Sequence, residues 1–152
     1  MPYFSAKSLA ELATCTDSLR SLFLNVVRLY DCRIIQGERT AEQQAKNVRA
    51  GVSKTLDSKH VVGPLRPRSH AVDAEPWPAP VLKAPVGLTS EQLRDFRAYV
   101  HAVGRFYHFA GYVQAKSEAH GVALRWGGDW DGDGDFSDQT FDDLYHFELR
   151  NG

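Results

Sequence analysis

The stretch Asp142-Asp143-Leu144-Tyr145-His146-Phe147-Glu148-Leu149 sets a carboxylate three residues before a histidine and ends, from His146, on a run that reads as a strand. An earlier block supplies partners for it: Ser58-Lys59-His60, then Ser69-His70-Ala71-Val72-Asp73. His60, Asp73 and His146 make a set of two histidines and one carboxylate. Catalytic zinc takes three protein ligands of this kind and leaves a fourth position for water. Asp143 is placed to act as the base on that water. The pattern predicts a zinc hydrolase.

The segments around these blocks predict the fold. Leu19, Leu22, Phe23, Val26, Val27 and Tyr30 recur at helical spacing, with Asp17 as the candidate N-cap. Cys32 to Ile35 reads as a short strand. Thr40 and Gln43 form a capping-box pattern, and Gly51 ends the helix that follows. Residues 61–88 are rich in Pro and Gly and read as loop, with one short strand at Ala71 to Ala74. Thr89 and Gln92 then cap a long helix whose apolar side carries Leu93, Phe96, Val100, Val103, Phe106 and Tyr107. Val122 to Trp126 is a further strand. Helices and strands do not alternate regularly, so the expected class is α+β: a small antiparallel sheet packed with helices, in a single domain over residues 1–152.

Composition narrows the partners. A net charge of −1 gives no electrostatic case for nucleic acid or a membrane surface. No apolar run approaches the roughly 20 residues that span a bilayer. The first 13 residues lack a basic segment followed by an apolar core, so no secretory signal is expected. Cys15 and Cys32 have no CxxC spacing and read as free thiols.

The ordered blocks resemble a family of zinc peptidases that includes D-alanyl-D-alanine dipeptidases, D-alanyl-D-alanine carboxypeptidases and phage L-alanyl-D-glutamate endolysins. The family pattern of Ser-x-His, Ala-x-Asp and carboxylate-x-x-His reads here as Ser58-Lys59-His60, Ala71-Val72-Asp73 and Asp143-Leu144-Tyr145-His146. The upstream Gly-x-Arg-Ser/Thr reads as Gly37-Glu38-Arg39-Thr40, and Trp126-Gly127-Gly128-Asp129-Trp130 is similar to the endolysin branch. The resemblance implies that Arg39 stabilises a developing oxyanion or holds the substrate carbonyl. Ser58 is expected to orient a ligand rather than to react.

One departure stands out. His60 and Asp73 are thirteen residues apart where the family has seven, so residues 61–68 would hold an insertion. His70 is then a rival first ligand. His60 is preferred for its Ser-x-His context; on a strand ending in Asp73, His70 would point away from the metal side. Glu148 reads equally as a residue supporting His146 or as an ordinary edge glutamate. His101, His108 and His120 read as packing or surface residues.

The segment Asp129-Trp130-Asp131-Gly132-Asp133-Gly134-Asp135 begins like a calcium loop, with alternating oxygen ligands and a glycine at the sixth position. Asp129, Asp131 and Asp133 are its candidate side-chain ligands, and Asp135 is a candidate through its backbone carbonyl. The glutamate expected at the twelfth position is replaced by Thr140, with Asp138 or Asp142 as substitutes. Calcium activation occurs among phage endolysins of the resembled family, and the alternative is a solvated acidic loop.

The combined expectation is a monomeric zinc peptidase acting on peptidoglycan stem peptides, most like an endolysin that cuts between L-alanine and D-glutamate. It would wait in the host cytoplasm for a membrane pore and act on the cell wall in the periplasm. D-alanyl-D-alanine carboxypeptidase activity is the nearest alternative, and a catalytically silent metal-binding module is the alternative of another class. Lys54, Lys59, Arg66 and Arg68 either attract acidic stem peptides or are solvated loop charges.

Overall fold

The computed structural model describes residues 2–83 and 90–151. Its elements run α1 (Ala6–Ala13), α2 (Asp17–Val26), β1 (Cys32–Gln36), α3 (Ala41–Arg49), β2 (Ala71–Pro76), α4 (Ser90–Ala119), β3 (Leu124–Gly127) and β4 (Asp143–Leu149). The strands form one sheet in the order β1-β2-β4-β3, each pair antiparallel. This is the α+β arrangement the sequence predicts.

Local chemistry explains most boundaries. Thr40 Oγ1 accepts from Gln43 N–H at 3.1 Å while Gln43 Oε1 accepts from Thr40 N–H at 2.8 Å, so both halves of the capping box form. Gly51, at φ 71°, takes the left-handed conformation that stops α3. Helix α1 was not foreseen. Ser5 caps it by accepting from Ser8 N–H at 3.2 Å.

The core lies between one face of the sheet and the helices. Leu19, Leu22, Phe23 and Val26 of α2 and Phe109, Ala110 and Val113 of α4 are buried with Ile34, Val72, Ala74, Trp126 and Phe147 from the strands. Phe147 takes Phe23 and Phe109 edge-on, each at 5.8 Å. Full burial of such a side chain contributes about 1.5–3 kcal/mol. Because side chains alternate across a strand, burying Val72, Ala74 and Phe147 turns Asp73, His146 and Glu148 to the opposite face.

Four expectations are corrected. Thr16, not Asp17, is the N-cap of α2. Tyr30 lies beyond the end of that helix and packs by its ring on Phe109 at 5.2 Å. Asp73 lies within β2, not at its end, and His70 precedes the strand. In α4, Phe96 and Val100 are exposed, and the buried stripe is Ala102, Phe106, Phe109, Ala110 and Val113. A 30-residue helix is about 45 Å long, whereas strands of four to seven residues span roughly 13–24 Å, so the early turns of α4 run past the sheet. The capping pattern at Thr89 and the side chain of Leu93 lie outside the described residues. Cys15 and Cys32 are free and buried, and burial pushes both thiols up to about 12, which makes them inert.

Candidate active site

The two central strands bring the first pair of groups together. Asp73 of β2 and His146 of β4 are direct partners in the antiparallel ladder. His60 reaches them from the loop before β2. The Ser58 hydroxyl accepts from the His60 backbone N–H at 3.3 Å, so Ser58 acts on the loop backbone that carries His60. His60 Nδ1 faces the Gly37 carbonyl, which only accepts, so Nδ1 carries the hydrogen and Nε2 presents a lone pair. Gly37 admits no side chain: a Cβ there would stand 2.1 Å from Thr14 Oγ1 and 2.2 Å from the Glu11 carbonyl. The carbonyl that orients His60 is thus pressed against the end of α1.

Three donor atoms form a near-equilateral triangle. His60 Nε2 lies 3.0 Å from Asp73 Oδ1 and 3.2 Å from His146 Nδ1, and His146 Nδ1 lies 3.1 Å from Asp73 Oδ1. Tetrahedral zinc with bonds of about 2.0–2.1 Å separates its ligands by roughly 3.3 Å, so a small expansion of this triangle accommodates it. Two imidazoles and one carboxylate are also the donor types such a zinc takes. The group is largely buried, with His60 1% and His146 7% exposed.

A second layer fixes the triangle. Glu148 Oε2 accepts from His146 Nε2 at 3.0 Å, which leaves Nδ1 for the metal side. Arg125 on β3 holds the other oxygen of Glu148 and lies over the Trp130 ring at 5.5 Å. Trp130 in turn tilts on His146 at 5.6 Å. Arg39 is locked by Gln36 and Gln44, donating to Gln44 Oε1 at 2.7 Å, and stands 3.5 Å from Asp73 Oδ2. It is therefore a rigid donor.

Asp143 reaches the same side through an irregular ladder. An offset of three along a regular strand would put Asp143 and His146 on opposite faces. Strand β3 pairs Trp126 with Phe147 but Gly127 with Asp143, where a regular ladder would pair Gly127 with His146. The extra residues on β4 re-aim Asp143 into the cleft, a use of bulges known at active sites. Burial, and then the Asp73 carboxylate, raise the Asp143 carboxyl above its ordinary value. For Asp73 itself burial works upward, but the His146 and His60 rings set against its carboxylate prevail and hold it well below the usual range.

The groups line one cleft of about 480 Å³ that holds Arg39, Lys54, His60, Asp73, Asp143 and His146. A second hollow of about 570 Å³ along β1, lined by Tyr3, Arg33 and Trp77, contains none of the predicted site residues. His70 stays out of the triangle: its N–H donates to the Lys59 carbonyl at 2.9 Å, and its carbonyl accepts from Leu149 at 2.9 Å. Its buried Nδ1 has no partner among the described residues. His101 and His120 are exposed, and His108 meets the Tyr30 hydroxyl at 3.0 Å.

The acidic loop forms a second group. Carboxylate oxygens of Asp129, Asp131 and Asp133 lie within 4.8 Å of one another. Asp129 is buried and accepts from Gly132 N–H at 2.8 Å and Gly134 N–H at 3.2 Å, both glycines having positive φ. Asp135 turns instead to Ser137, its Oδ1 accepting from the hydroxyl at 2.6 Å, and its side chain is outside the group. Gln139 ties the loop to the cleft: its oxygen accepts from Trp130 N–H at 3.1 Å, and its amide donates to Asp131 at 3.2 Å.

Sequence reasoning passed over Gln44, Arg125 and Trp130. Gln44 carried a signal, a polar residue on the inner side of a short helix close after Arg39. Trp130 stood in the run similar to the endolysin branch but with no role attached, and Arg125 had no signal, because both roles depend on the pairing of β3 with β4.

Comparison with known proteins finds similar peptidases. Residues 1–150 match the family model described as phage L-alanyl-D-glutamate peptidase. The chain is 30% identical over 154 aligned positions to the L-alanyl-D-glutamate peptidase of Escherichia phage T5, covering 96% of each protein. Its fold is similar to the crystal structure of the Serratia marcescens L-Ala D-Glu endopeptidase ChiX, with a TM-score of 0.64, 25% identity and coverage of 97% of this chain and 90% of that one.

Proposed function

The chain belongs to the phage L-alanyl-D-glutamate peptidase family, and from that premise we propose that it is a zinc-dependent peptidase hydrolysing the L-alanyl–D-glutamate bond of murein stem peptides. The observation that carries this reading is the His60–Asp73–His146 triangle with Asp143 in the same cleft. When bound, zinc lowers the pKa of a coordinated water to about 7 and so supplies a nucleophile at neutral pH.

The chain's own residues do the rest. His60 and His146 are oriented by the Gly37 carbonyl and Glu148, so once His146 gives up its Nδ1 proton both turn lone pairs to the same side. Asp143 takes a proton from the attacking water and passes one to the leaving amine. Its raised carboxyl suits a group that must both accept and return a proton near neutral pH. Arg39, fixed by Gln36 and Gln44, presents a cation to the oxygen of the scissile carbonyl as charge develops there. A purely structural metal would need neither Asp143 nor Arg39.

The acidic loop is read as a calcium site built on Asp129, Asp131 and Asp133, with its path to the cleft through Gln139 and Trp130. Among the described residues no helix is long and apolar enough to cross a membrane. Release from the host cytoplasm through a separate pore, followed by action as a monomer in the periplasm, accords with the substrate. The decisive experiment is digestion of purified murein followed by mass spectrometry of the fragments. New L-alanine C-termini and D-glutamate N-termini are expected; release of terminal D-alanine alone would replace this reading with a carboxypeptidase.

A further inference from the structure

Four cations stand near the first metal block, and the structure separates one from the others. Arg66 donates to the Ser58 carbonyl at 3.0 Å and pairs with Asp57 at 3.7 Å. Arg68 donates to the Ala13 carbonyl at 2.8 Å, and Lys59 to the Leu149 carbonyl at 3.3 Å. These three are engaged in holding loops. Lys54 is exposed, lines the cleft, and has no carboxylate within ion-pair distance among the described residues.

Its ammonium is nonetheless placed. Lys54 Nζ sits over the Phe141 ring at 4.8 Å. Phe141 stacks on Trp130 at 6.4 Å, its carbonyl accepts from Trp130 Nε1 at 2.7 Å, and Trp130 tilts on His146. An aromatic wall therefore runs from the metal-side histidine to the lysine, with Asp143 two residues beyond Phe141. The other cations lining the cleft have roles already: Arg39, fixed by Gln36 and Gln44, is assigned above to the scissile carbonyl, Lys59 donates to the Leu149 carbonyl, and Arg125 pairs with Glu148. Lys54 is the cleft cation left to meet an anion brought by the substrate.

The proposed substrate brings one beside the bond that is cut. In a murein stem the D-glutamate continues the chain through its side-chain carboxyl, so its α-carboxylate remains free on the carbon that bears the leaving nitrogen. Resting on the peptidase reading above, we propose that Lys54 is a specificity-determining residue whose ammonium pairs with this α-carboxylate while Phe141 supports the lysine from below. The occupant is a carboxylate next to the scissile amide, and its amidated form, D-isoglutamine, has lost the charge that Lys54 reads.

The test uses two stem peptides that differ only there, one with D-glutamate and one with D-isoglutamine. Cleavage is measured on the zinc enzyme, and binding by calorimetry on the Asp143→Asn variant. An ion pair of this kind is expected to favour the charged peptide about tenfold in kcat/KM and in affinity. Lys54→Met should bring both ratios close to one by weakening only the charged peptide, with zinc content unchanged, and Lys54→Arg should keep most of the preference. A wild-type enzyme indifferent to amidation, or a Lys54→Met variant with the wild-type ratio, overturns the assignment. Failure of the wild type to bind or cleave either peptide is a different result: it removes the stem-peptide reading itself, and the role of Lys54 with it.

Discussion

His146 donates from Nε2 to Oε2 of Glu148 at 3.0 Å, two residues along the same strand face, while its Nδ1 faces Asp73 Oδ1 at 3.1 Å. One ring thus links a supporting carboxylate to a metal-side carboxylate, and its orientation depends on both.

Glu148→Gln keeps the shape but removes the charge that binds both His146 and Arg125. Loss of such a supporting partner typically costs about 10–100-fold in metal affinity or activity. Zinc affinity measured against a competing chelator should fall by that order while the fold persists. Unchanged affinity would make Glu148 an ordinary strand glutamate.

Asp143→Asn should retain zinc and the fold and lose about 10²–10⁴-fold in kcat on murein, the usual contribution of acid–base catalysis. Near-normal cleavage would assign the proton transfers to another group.

His60→Ala should abolish tight zinc binding, whereas His70→Ala should keep it, since only His60 Nε2 belongs to the triangle. Metal content by mass spectrometry of the purified variants decides between them.

Zinc binding should be coupled to proton release. In the metal-free protein burial works against a charged His146, but its hydrogen bonds to Asp73 and Glu148 prevail and raise it to about 9. Burial likewise opposes the Glu148 charge, yet His146 and Arg125 lower it to about 2, so the pair stays ionised at neutral pH. A raised histidine stabilises the metal-free fold fully below its ordinary value near 6.5 and loses that contribution as pH rises through about 9. Metal must displace this proton from Nδ1, so apparent zinc affinity should climb about tenfold per pH unit across this window. Calorimetry in buffers of different ionisation heat should show about one proton released per zinc near pH 7.5; no buffer dependence would contradict a charged His146.

Calcium should bind the acidic loop and report through Trp130. A cation at Asp131 competes with the Gln139 amide that touches it, and the oxygen of Gln139 holds the Trp130 backbone. With zinc held constant, calcium is expected to shift tryptophan emission and raise murein clearing, and Asp131→Ala to weaken both. Full activity in a chelator that spares zinc, with no heat on adding calcium, would leave an acidic surface turn.

Much of this site was legible before the structure because its chemistry is carried by residue type. Two histidines and a carboxylate in ordered blocks announce a metal whatever the strand pairing, and the Thr40–Gln43 cap marks its helix locally. What stayed hidden depends on tertiary pairing. Arg125 acquires its role only when β3 lies beside β4, and Trp130 only when the loop folds over His146. Phe96 and Val100 show the converse: helical spacing marks an apolar stripe but not how far the sheet beneath it extends.

The break in the β3–β4 ladder has a consequence for how such an enzyme can diverge. His146 is set by its pairing with Asp73 across the regular β2–β4 ladder, whereas Asp143 is set by the irregular stretch before it. An insertion or deletion between them should rotate the proposed base while leaving the His60–Asp73–His146 triangle in place. The proposed metal ligand and the proposed base therefore share one strand but take their positions from two separate pairings.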